Sequence, residues 1–295
     1  MNFRVRLIEK IRQKKSLVCF GIDPDVESEF FPRYVLEYNK PKLEFAKMIL
    51  DEVEDKIPII KINTRYFFID EMDQLKSIVQ YAHTKDLEVI GDCKENDIGH
   101  SMSMAYKKHF LGFKYDAITV NGYFGSEGVI GTTERPIFKK WFDQGKGLFV
   151  LIKTSNLSGA EVQDLKIVET SNGQNNKNEI PLYNYLAQLV EKWSSKYDFC
   201  IGGVVGATYP DQLKIIRNLI SGVLLLPGYG TQGGSAENIK YCVKGEKFSI
   251  INSSRSIMYA YAKKYRGQFN PNDFPKASRK YIEEMIQNIN KRVKF

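Results

Sequence analysis

The octapeptide Leu87-Glu88-Val89-Ile90-Gly91-Asp92-Cys93-Lys94 joins an aliphatic stretch to charged residues at its carboxyl end. A short aliphatic run of this kind predicts a buried β-strand. Seven further runs share this character, and neighbouring runs are separated by enough residues for a helix. The eight predicted strands are residues 17–23, 58–63, 87–94, 117–121, 148–154, 199–207, 223–227 and 248–253.

Amphipathic helices are predicted between the strands. Apolar residues follow helical spacing after Pro41, Pro181 and Pro210, and proline is common at the start of a helix. Buried strands that alternate with such helices predict an α/β fold with a parallel sheet that is covered on its outside. Eight strand–helix units predict a (β/α)8 TIM barrel that forms one domain over residues 1–295.

An open, doubly wound sheet is the alternative architecture. Such a sheet usually carries a Gly-x-Gly-x-x-Gly fingerprint after its first strand, whereas the first strand here ends in Gly21-Ile22-Asp23-Pro24. Two connections, residues 122–135 and 156–180, are longer than a minimal barrel needs. The second contains the polar run 171–178, which we expect to be a mobile surface excursion.

The composition is that of an ordinary globular protein, with 43% hydrophobic and 26% charged residues in a chain of 295. No apolar run approaches the roughly 18 residues of a membrane span, and residues 1–15 lack a signal peptide's apolar core. We therefore expect a cytoplasmic protein without a membrane partner. The net charge of +8 could indicate nucleic-acid binding, but the lysines are spread over predicted helix faces, so we expect no nucleic-acid partner.

The cysteines and histidines do not predict a metal centre. The four cysteines lie far apart in the sequence, and the three histidines form no ligand motif such as HExxH. We expect reduced core thiols and no bound metal. The residues concerned are Cys19, Cys93, Cys200, Cys242, His83, His100 and His109.

Charged residues gather at the predicted carboxyl ends of strands, which is where TIM barrels carry their chemistry. Asp92 and Lys94 share one face of their strand, while Cys93 points the other way. Lys61 ends the neighbouring strand, and Asp97 lies just beyond Lys94. Buried charges are costly unless they are paired, so these four predict an alternating row in the barrel mouth. A purely structural salt-bridge cluster is the alternative interpretation.

A phosphate site is predicted after the seventh and eighth strands, where this fold most often has one. The glycine-rich loop 227–234 allows backbone N–H groups to approach an anion. Ser254 and Arg255 follow the eighth strand, just before a predicted helix over residues 257–264. A helix N-terminus and a guanidinium both favour a phosphate dianion.

Taken together, the motifs resemble the orotidine 5′-monophosphate decarboxylase family, in its longer bacterial and apicomplexan branch. They run in family order over nearly the whole chain, and the Asp-x-Lys-x-x-Asp spacing is highly specific. The matching stretches are Gly21-Ile22-Asp23-Pro24, Ile60-Lys61-Ile62-Asn63, Asp92-Cys93-Lys94-Glu95-Asn96-Asp97-Ile98-Gly99, Val204-Val205-Gly206-Ala207-Thr208, Pro227-Gly228-Tyr229-Gly230-Thr231-Gln232-Gly233-Gly234 and Asn252-Ser253-Ser254-Arg255-Ser256-Ile257.

The resemblance implies a cofactor-free decarboxylation of orotidylate to uridylate, a (β/α)8 barrel and a role for each matching residue. Lys61, Asp92, Lys94 and Asp97 would be catalytic, with Lys94 protonating a C6 carbanion and Asp97 reaching into the partner's site. Substrate contacts would come from Asp23 at the ribose, Ser101 at the ribose across the dimer, Asn63 and Ser155 at the pyrimidine, and Pro227, Gln232, Gly234, Ser254 and Arg255 at the phosphate end.

The resemblance also implies a homodimer with shared active sites and, for some members, association with orotate phosphoribosyltransferase. Two departures stand out, because the family often has threonine at position 101 and another residue at position 100. Two rival functions remain. One is a magnesium-dependent sugar-phosphate decarboxylase or aldolase with the same motif, and the other is a catalytically inactive barrel that binds a phosphorylated ligand or RNA.

Overall fold

The computed structural model describes residues 1–169, 178–230 and 233–293. Eight parallel strands close into a barrel, in the order β1-β2-β3-β4-β5-β8-β9-β10 and back to β1. Each predicted strand is present, with ends that differ by at most two residues, so the (β/α)8 prediction is confirmed. The barrel strands are β1 Val18–Ile22, β2 Ile59–Asn63, β3 Glu88–Glu95, β4 Ala117–Asn121, β5 Gly147–Lys153, β8 Ile201–Val205, β9 Leu224–Leu226 and β10 Ser249–Ser253.

Helices cover the outside of the barrel, and their apolar faces pack on strands that are buried along almost their whole length. Proline begins two of them, α2 and α9, and directly precedes α8, as predicted. The helices are α1 Phe3–Lys14, α2 Pro41–Val53, α3 Met72–Thr84, α4 Gly99–Lys107, α5 Gly125–Val129, α6 Lys139–Asp143, α7 Ala160–Gln163, α8 Leu182–Ser194, α9 Pro210–Leu219, α10 Arg255–Met258 and α11 Phe274–Asn290.

Helix α1 closes the amino-terminal end of the barrel. Phe3 meets Phe149 of β5 edge to face at 6.0 Å, and a Cβ at Gly147 would lie 2.3 Å from the Phe3 ring. Arg6 donates to both carboxylate oxygens of Glu88 at the start of β3. Because this end is filled, the carboxyl ends of the strands are left to hold a ligand.

The connection after β5 differs from the surface excursion that the sequence predicts. It contains α7 and a hairpin in which β6 Lys166–Glu169 pairs antiparallel with β7 Asn178–Pro181. The connection is also anchored, because the fully buried Lys153 Nζ lies 2.6 Å from Asp164 Oδ1. Most of the polar run, residues 171–177, lies outside the described residues, so its predicted mobility stays a prediction.

The helix predicted over residues 257–264 is wrong in its extent, since α10 ends at Met258 and turns follow. Tertiary contacts explain the early end. The Tyr259 hydroxyl reaches the backbone of Asp25, and the Tyr261 hydroxyl donates to the carbonyl of Phe30 at 3.0 Å. These contacts hold the tyrosines against the loop after β1.

The cysteine prediction is confirmed, because all four cysteines are free and buried. Within the described ranges, no helix combines the length and the apolar character that crossing a membrane requires.

Candidate active site

Three of the four predicted charged residues form one network around a buried carboxylate at the carboxyl end of the barrel. Asp92 accepts from Lys61 Nζ at its Oδ2 and from Lys94 Nζ at its Oδ1, each at 2.7 Å. The register explains the first contact, since Lys61 pairs with Ile90 and therefore faces the same way as Asp92, two residues further along β3. Lys61 is 4% exposed and Asp92 is 8% exposed.

An irregularity in β3 directs Lys94 into the site. The pairing of β3 with β4 shifts between Gly91 and Glu95, and Lys94 has a φ of +50°, which is uncommon for a residue with a side chain. Its amide donates to Thr119 Oγ1 at 2.9 Å, and the Thr119 hydroxyl donates to Asp92 Oδ1 at 2.9 Å. Thr119 was not predicted, because a single threonine in an aliphatic strand gives no signal.

The network keeps Asp92 and Lys61 charged. Burial alone would raise the pKa of Asp92, but the charges of Lys61 and Lys94 outweigh it and hold that pKa well below its usual range. Burial likewise opposes the charge on Lys61, yet Asp92 and Asp23 raise the Lys61 pKa above its ordinary value. The Asp92 carboxylate and the Lys61 ammonium are therefore both charged over the whole physiological pH range.

Asp23 follows β1 at the same end of the barrel, and its carboxylate can accept a further hydrogen bond. Its Oδ1 is buried and, within the described part of the chain, accepts no hydrogen bond. An unpaired buried carboxylate oxygen is costly, and a ligand hydroxyl would satisfy it. Nearby, a Cβ at Gly21 would lie 1.9 Å from Ser254 Oγ and 2.9 Å from Asn252 Oδ1, so a larger residue there would have to displace Ser254.

The predicted phosphate loop folds back on itself and lies against α10. Gly228 and Gly230 have φ angles of +98° and +85°, and the Gly230 amide donates to the Gly234 carbonyl at 2.9 Å. A Cβ at Gly230 would lie 2.8 Å from Ser256 Oγ, which follows Arg255. Gln232 lies outside the described residues.

Arg255 is exposed at the start of α10 and lies at the same end of the barrel as the charged network. Burial raises the pKa of the Tyr66 hydroxyl, and the charges of Asp23, Arg255 and Lys61 also act on it. Tyr66 itself was not predicted, because it follows β2 in a short 3-10 turn without a motif. Arg255 comes just after the end of β10, so it lies at the same end of the barrel as the charged network.

The remaining predicted residues make no side-chain hydrogen bond with the network among the residues that the structure describes. Ser155 is half-buried beside Gly206, and Asn63 Oδ1 accepts from the amide of Arg65 at 3.2 Å. Asp97 and Ser101 are exposed. Among the described residues Asp97 makes no ion pair with Lys61 or Lys94, and its Oδ1 accepts from the amide of Ile98. Within one chain, Lys61, Asp92 and Lys94 therefore form the network, and Asp97 is not part of it.

Comparison with known proteins agrees with this geometry. Residues 16–267 match the model of the orotidine 5′-phosphate decarboxylase / HUMPS family. Orotidine 5′-phosphate decarboxylases from Caldicellulosiruptor bescii and Caldicellulosiruptor saccharolyticus are 33% and 34% identical, and each alignment covers 97% of this chain and 98% of the relative. A crystal structure from Toxoplasma gondii, assigned to orotidine-monophosphate decarboxylase, superposes with a TM-score of 0.75 at 25% identity and covers 98% of this chain and 99% of that one.

Proposed function

The chain belongs to the orotidine 5′-phosphate decarboxylase / HUMPS family, and we propose that Lys61, Asp92 and Lys94 perform its reaction. That reaction converts orotidine 5′-phosphate to uridine 5′-phosphate and CO2 in pyrimidine biosynthesis, so the protein is a carboxy-lyase. The observation that carries this assignment is the contact of both ammonium groups with one buried carboxylate at the open end of the barrel.

Lys94 supplies the proton in this proposal. When the bond between C6 and the carboxylate breaks, CO2 leaves and the electron pair stays on C6. Lys94 is the member of the network whose side chain is half exposed, at 51%, so its ammonium can meet the substrate while Asp92 holds it. It stabilises the developing negative charge, transfers a proton to C6 and is reprotonated from solvent. The protein's own charges carry every step, so the proposal needs no cofactor.

Asp92 has two functions in the proposal. Its contacts with both lysines fix the position of the proton donor, which lowers the entropic cost of the transfer. Its negative charge would also lie beside the carboxylate of the bound substrate, so loss of CO2 would relieve a repulsion between the two.

Groups away from C6 would bind the rest of the substrate. The unpaired Oδ1 of Asp23 suits a ribose hydroxyl, and Ser155 and Asn63 suit the pyrimidine. The phosphate would lie between Arg255 and the loop that contains Pro227 and Gly234, near Ser254, with Gln232 on that loop as a further predicted contact. Binding energy from this remote end can hold the loop closed over the reacting bond.

We further propose a cytoplasmic homodimer in which Asp97 and Ser101 complete the site of the partner. Large apolar side chains on the segments that follow β3 and β4 are exposed in the single chain: Ile98 at 50%, Met104 at 49%, Tyr123 at 77% and Phe124 at 45%. The loops after β3 and β4 meet here, since a Cβ at Gly128 would lie 2.9 Å from the Asp97 carbonyl and 3.1 Å from Phe124. Apolar patches of this kind mark self-association surfaces.

The magnesium-dependent rival is disfavoured by the position of Glu95. That mechanism needs a further carboxylate beside the substrate, and Glu95 instead contacts His109 on the opposite face of β3. The curated relatives also carry the decarboxylase name. The inactive-barrel rival is disfavoured because the Lys61–Asp92–Lys94 network is intact and fully paired. Association with a separate orotate phosphoribosyltransferase stays a prediction.

The direct test is to incubate the purified protein with orotidylate and EDTA and to follow the loss of the pyrimidine's ultraviolet absorbance. Turnover that persists in chelator supports the proposal, whereas no turnover of orotidylate together with magnesium-dependent turnover of a sugar phosphate supports the rival. Binding of a uridylate analogue without turnover would support the inactive barrel.

Shared sites can be tested by mixing two inactive variants, Lys94→Ala and Asp97→Ala. A mixed dimer pairs the intact Lys94 of one chain with the intact Asp97 of the other at one of its two sites. Random exchange of subunits should therefore restore about a quarter of wild-type activity. A mixture that stays as inactive as its components would refute the shared site.

A further inference from the structure

The outer face of β3 carries a second cluster of reactive side chains, directly behind the active site. Because side chains alternate along a strand, Cys93 and Glu95 point away from the barrel mouth that Asp92 and Lys94 face. His109 covers them from the π-helical segment Lys108–Phe113, which continues α4. One donor atom from each of the three residues lies within 4.8 Å of the others.

We propose that Cys93, Glu95 and His109 bind a single divalent transition-metal cation of the Zn²⁺ type. Thiolate, imidazole and carboxylate together are the donors that Zn²⁺ prefers, whereas Mg²⁺ and Ca²⁺ prefer oxygen alone. Three protein ligands would leave a fourth tetrahedral position for water.

The present distances need only a small adjustment for such an ion. Ligand bonds of about 2.0 to 2.3 Å set the donor atoms of a tetrahedral Zn²⁺ site about 3.3 to 3.8 Å apart. His109 Nε2 and Glu95 Oε1 are 2.6 Å apart, so they would separate by about 1 Å as a shared cation replaces their contact. The Glu95 side chain is 28% exposed and can move, while His109 is held at 2% exposure.

A cavity beside the cluster gives an ion access to these ligands. His109 faces Glu95 through Nε2, so Nε2 is the nitrogen that would bind the ion, whereas Nδ1, on the other side of the ring, is buried without a hydrogen-bond partner among the residues that the structure describes. The cluster also opens onto a cavity of about 320 Å³, lined in part by Thr64, Arg65 and Phe113, which gives a hydrated ion a path to the three ligands.

The cavity rim sets the expected strength of binding. Arg65 and Lys108 are exposed at the cavity beside Glu95, and their positive charges repel an entering cation. We therefore expect Lys108→Gln to tighten binding.

Because Cys93 and Glu95 flank Lys94 in the sequence, an ion held by both would fix the bulge that directs Lys94 into the active site.

Cobalt is the probe that tests the site most sharply, because a cysteine thiolate on tetrahedral Co²⁺ gives a charge-transfer band in the near ultraviolet. Metal-free, tag-free protein is titrated with Co²⁺ at neutral pH, and Zn²⁺ affinity is measured by competition with a chromophoric chelator. We expect one ion per chain, a thiolate band that Cys93→Ser abolishes and an affinity that His109→Asn lowers by at least about tenfold.

Matched controls are Cys242→Ser, another buried thiol, and His83→Asn, whose ring contacts Asp116 at 2.9 Å without a neighbouring cysteine. Both should bind Co²⁺ as the wild type does. Circular dichroism and thermal unfolding are used to check that Cys93→Ser is folded. Added Zn²⁺ should raise the unfolding midpoint of the wild type but not of that variant. Absence of the thiolate band, or equal binding by Cys93→Ser and the wild type, would overturn the proposal.

Discussion

Replacing Asp92 with asparagine removes one negative charge from a carboxylate that contacts two ammonium groups at 2.7 Å. The side chain keeps its shape, so the change is almost purely electrostatic. Lys61, which is 4% exposed, then keeps a buried positive charge whose nearest remaining acidic neighbour is Asp23. Leaving one member of a buried ion pair without its partner costs about 3 to 5 kcal/mol.

This cost predicts a measurable shift in thermal unfolding. An unfolding entropy of about 2.1 cal/mol/K per residue gives roughly 0.6 kcal/mol/K for a chain of 295 residues, so the midpoint should fall by about 5 to 8 °C. The double variant Lys61→Met with Asp92→Asn removes the stranded cation as well. It should therefore be more stable than Asp92→Asn alone, which makes the two substitutions strongly non-additive.

The assay is urea and thermal unfolding followed by circular dichroism at one fixed protein concentration, since a dimer's midpoint depends on concentration. Asp143→Asn is the control, because its partner Lys139 and Asp143 itself are both more than half exposed, and it should cost less than about 0.5 kcal/mol. A midpoint for Asp92→Asn within 1 °C or so of wild type, or additive effects in the cycle, would refute the stranded-charge argument.

Four further outcomes are expected. Lys94→Ala should leave binding of a uridylate analogue measurable by calorimetry but reduce turnover at least about a thousandfold, and near-normal turnover would remove Lys94 as the proton donor. Arg255→Ala should mainly raise KM, because a charge-assisted phosphate contact is lost; unchanged steady-state constants would mean that the phosphate binds elsewhere. Gly21→Ala should raise KM by displacing Ser254, and kinetics identical to wild type would show that the mouth adapts. The pKa of Asp92 in the folded protein lies below its value of about 3.9 in the unfolded chain, so the charged Asp92 stabilises the fold fully above that pH and less as pH falls towards the folded pKa. Below about pH 4, the thermal unfolding midpoint of Asp92→Asn should therefore depend less on pH than that of wild type.

The parts of the fold that depend on local pattern could be predicted from the sequence. Each barrel strand is a continuous aliphatic run, and a two-residue alternation places Asp92 and Lys94 on one face of β3 and Cys93 on the other. The α10 boundary and the β6–β7 hairpin could not be predicted in the same way. The first depends on tyrosine contacts with a loop more than two hundred positions away, and the second joins strands across a long polar run.

The alternation of β3 also explains why the active site and the proposed metal site should be energetically coupled. One strand supplies Asp92 and Lys94 to the mouth and Cys93 and Glu95 to the outer cavity, so neither pair can shift without moving the other. Lys94 is the residue where the regular strand geometry fails, with its φ of +50° stabilised by the bond from its amide to Thr119. Such backbone strain persists only where surrounding contacts determine it, and the Thr119 hydroxyl of β4 supplies one of them. A cation on the outer side would fix the same peptide from behind, so its occupancy should act on turnover through the position of Lys94 and leave phosphate binding at Arg255 unaffected.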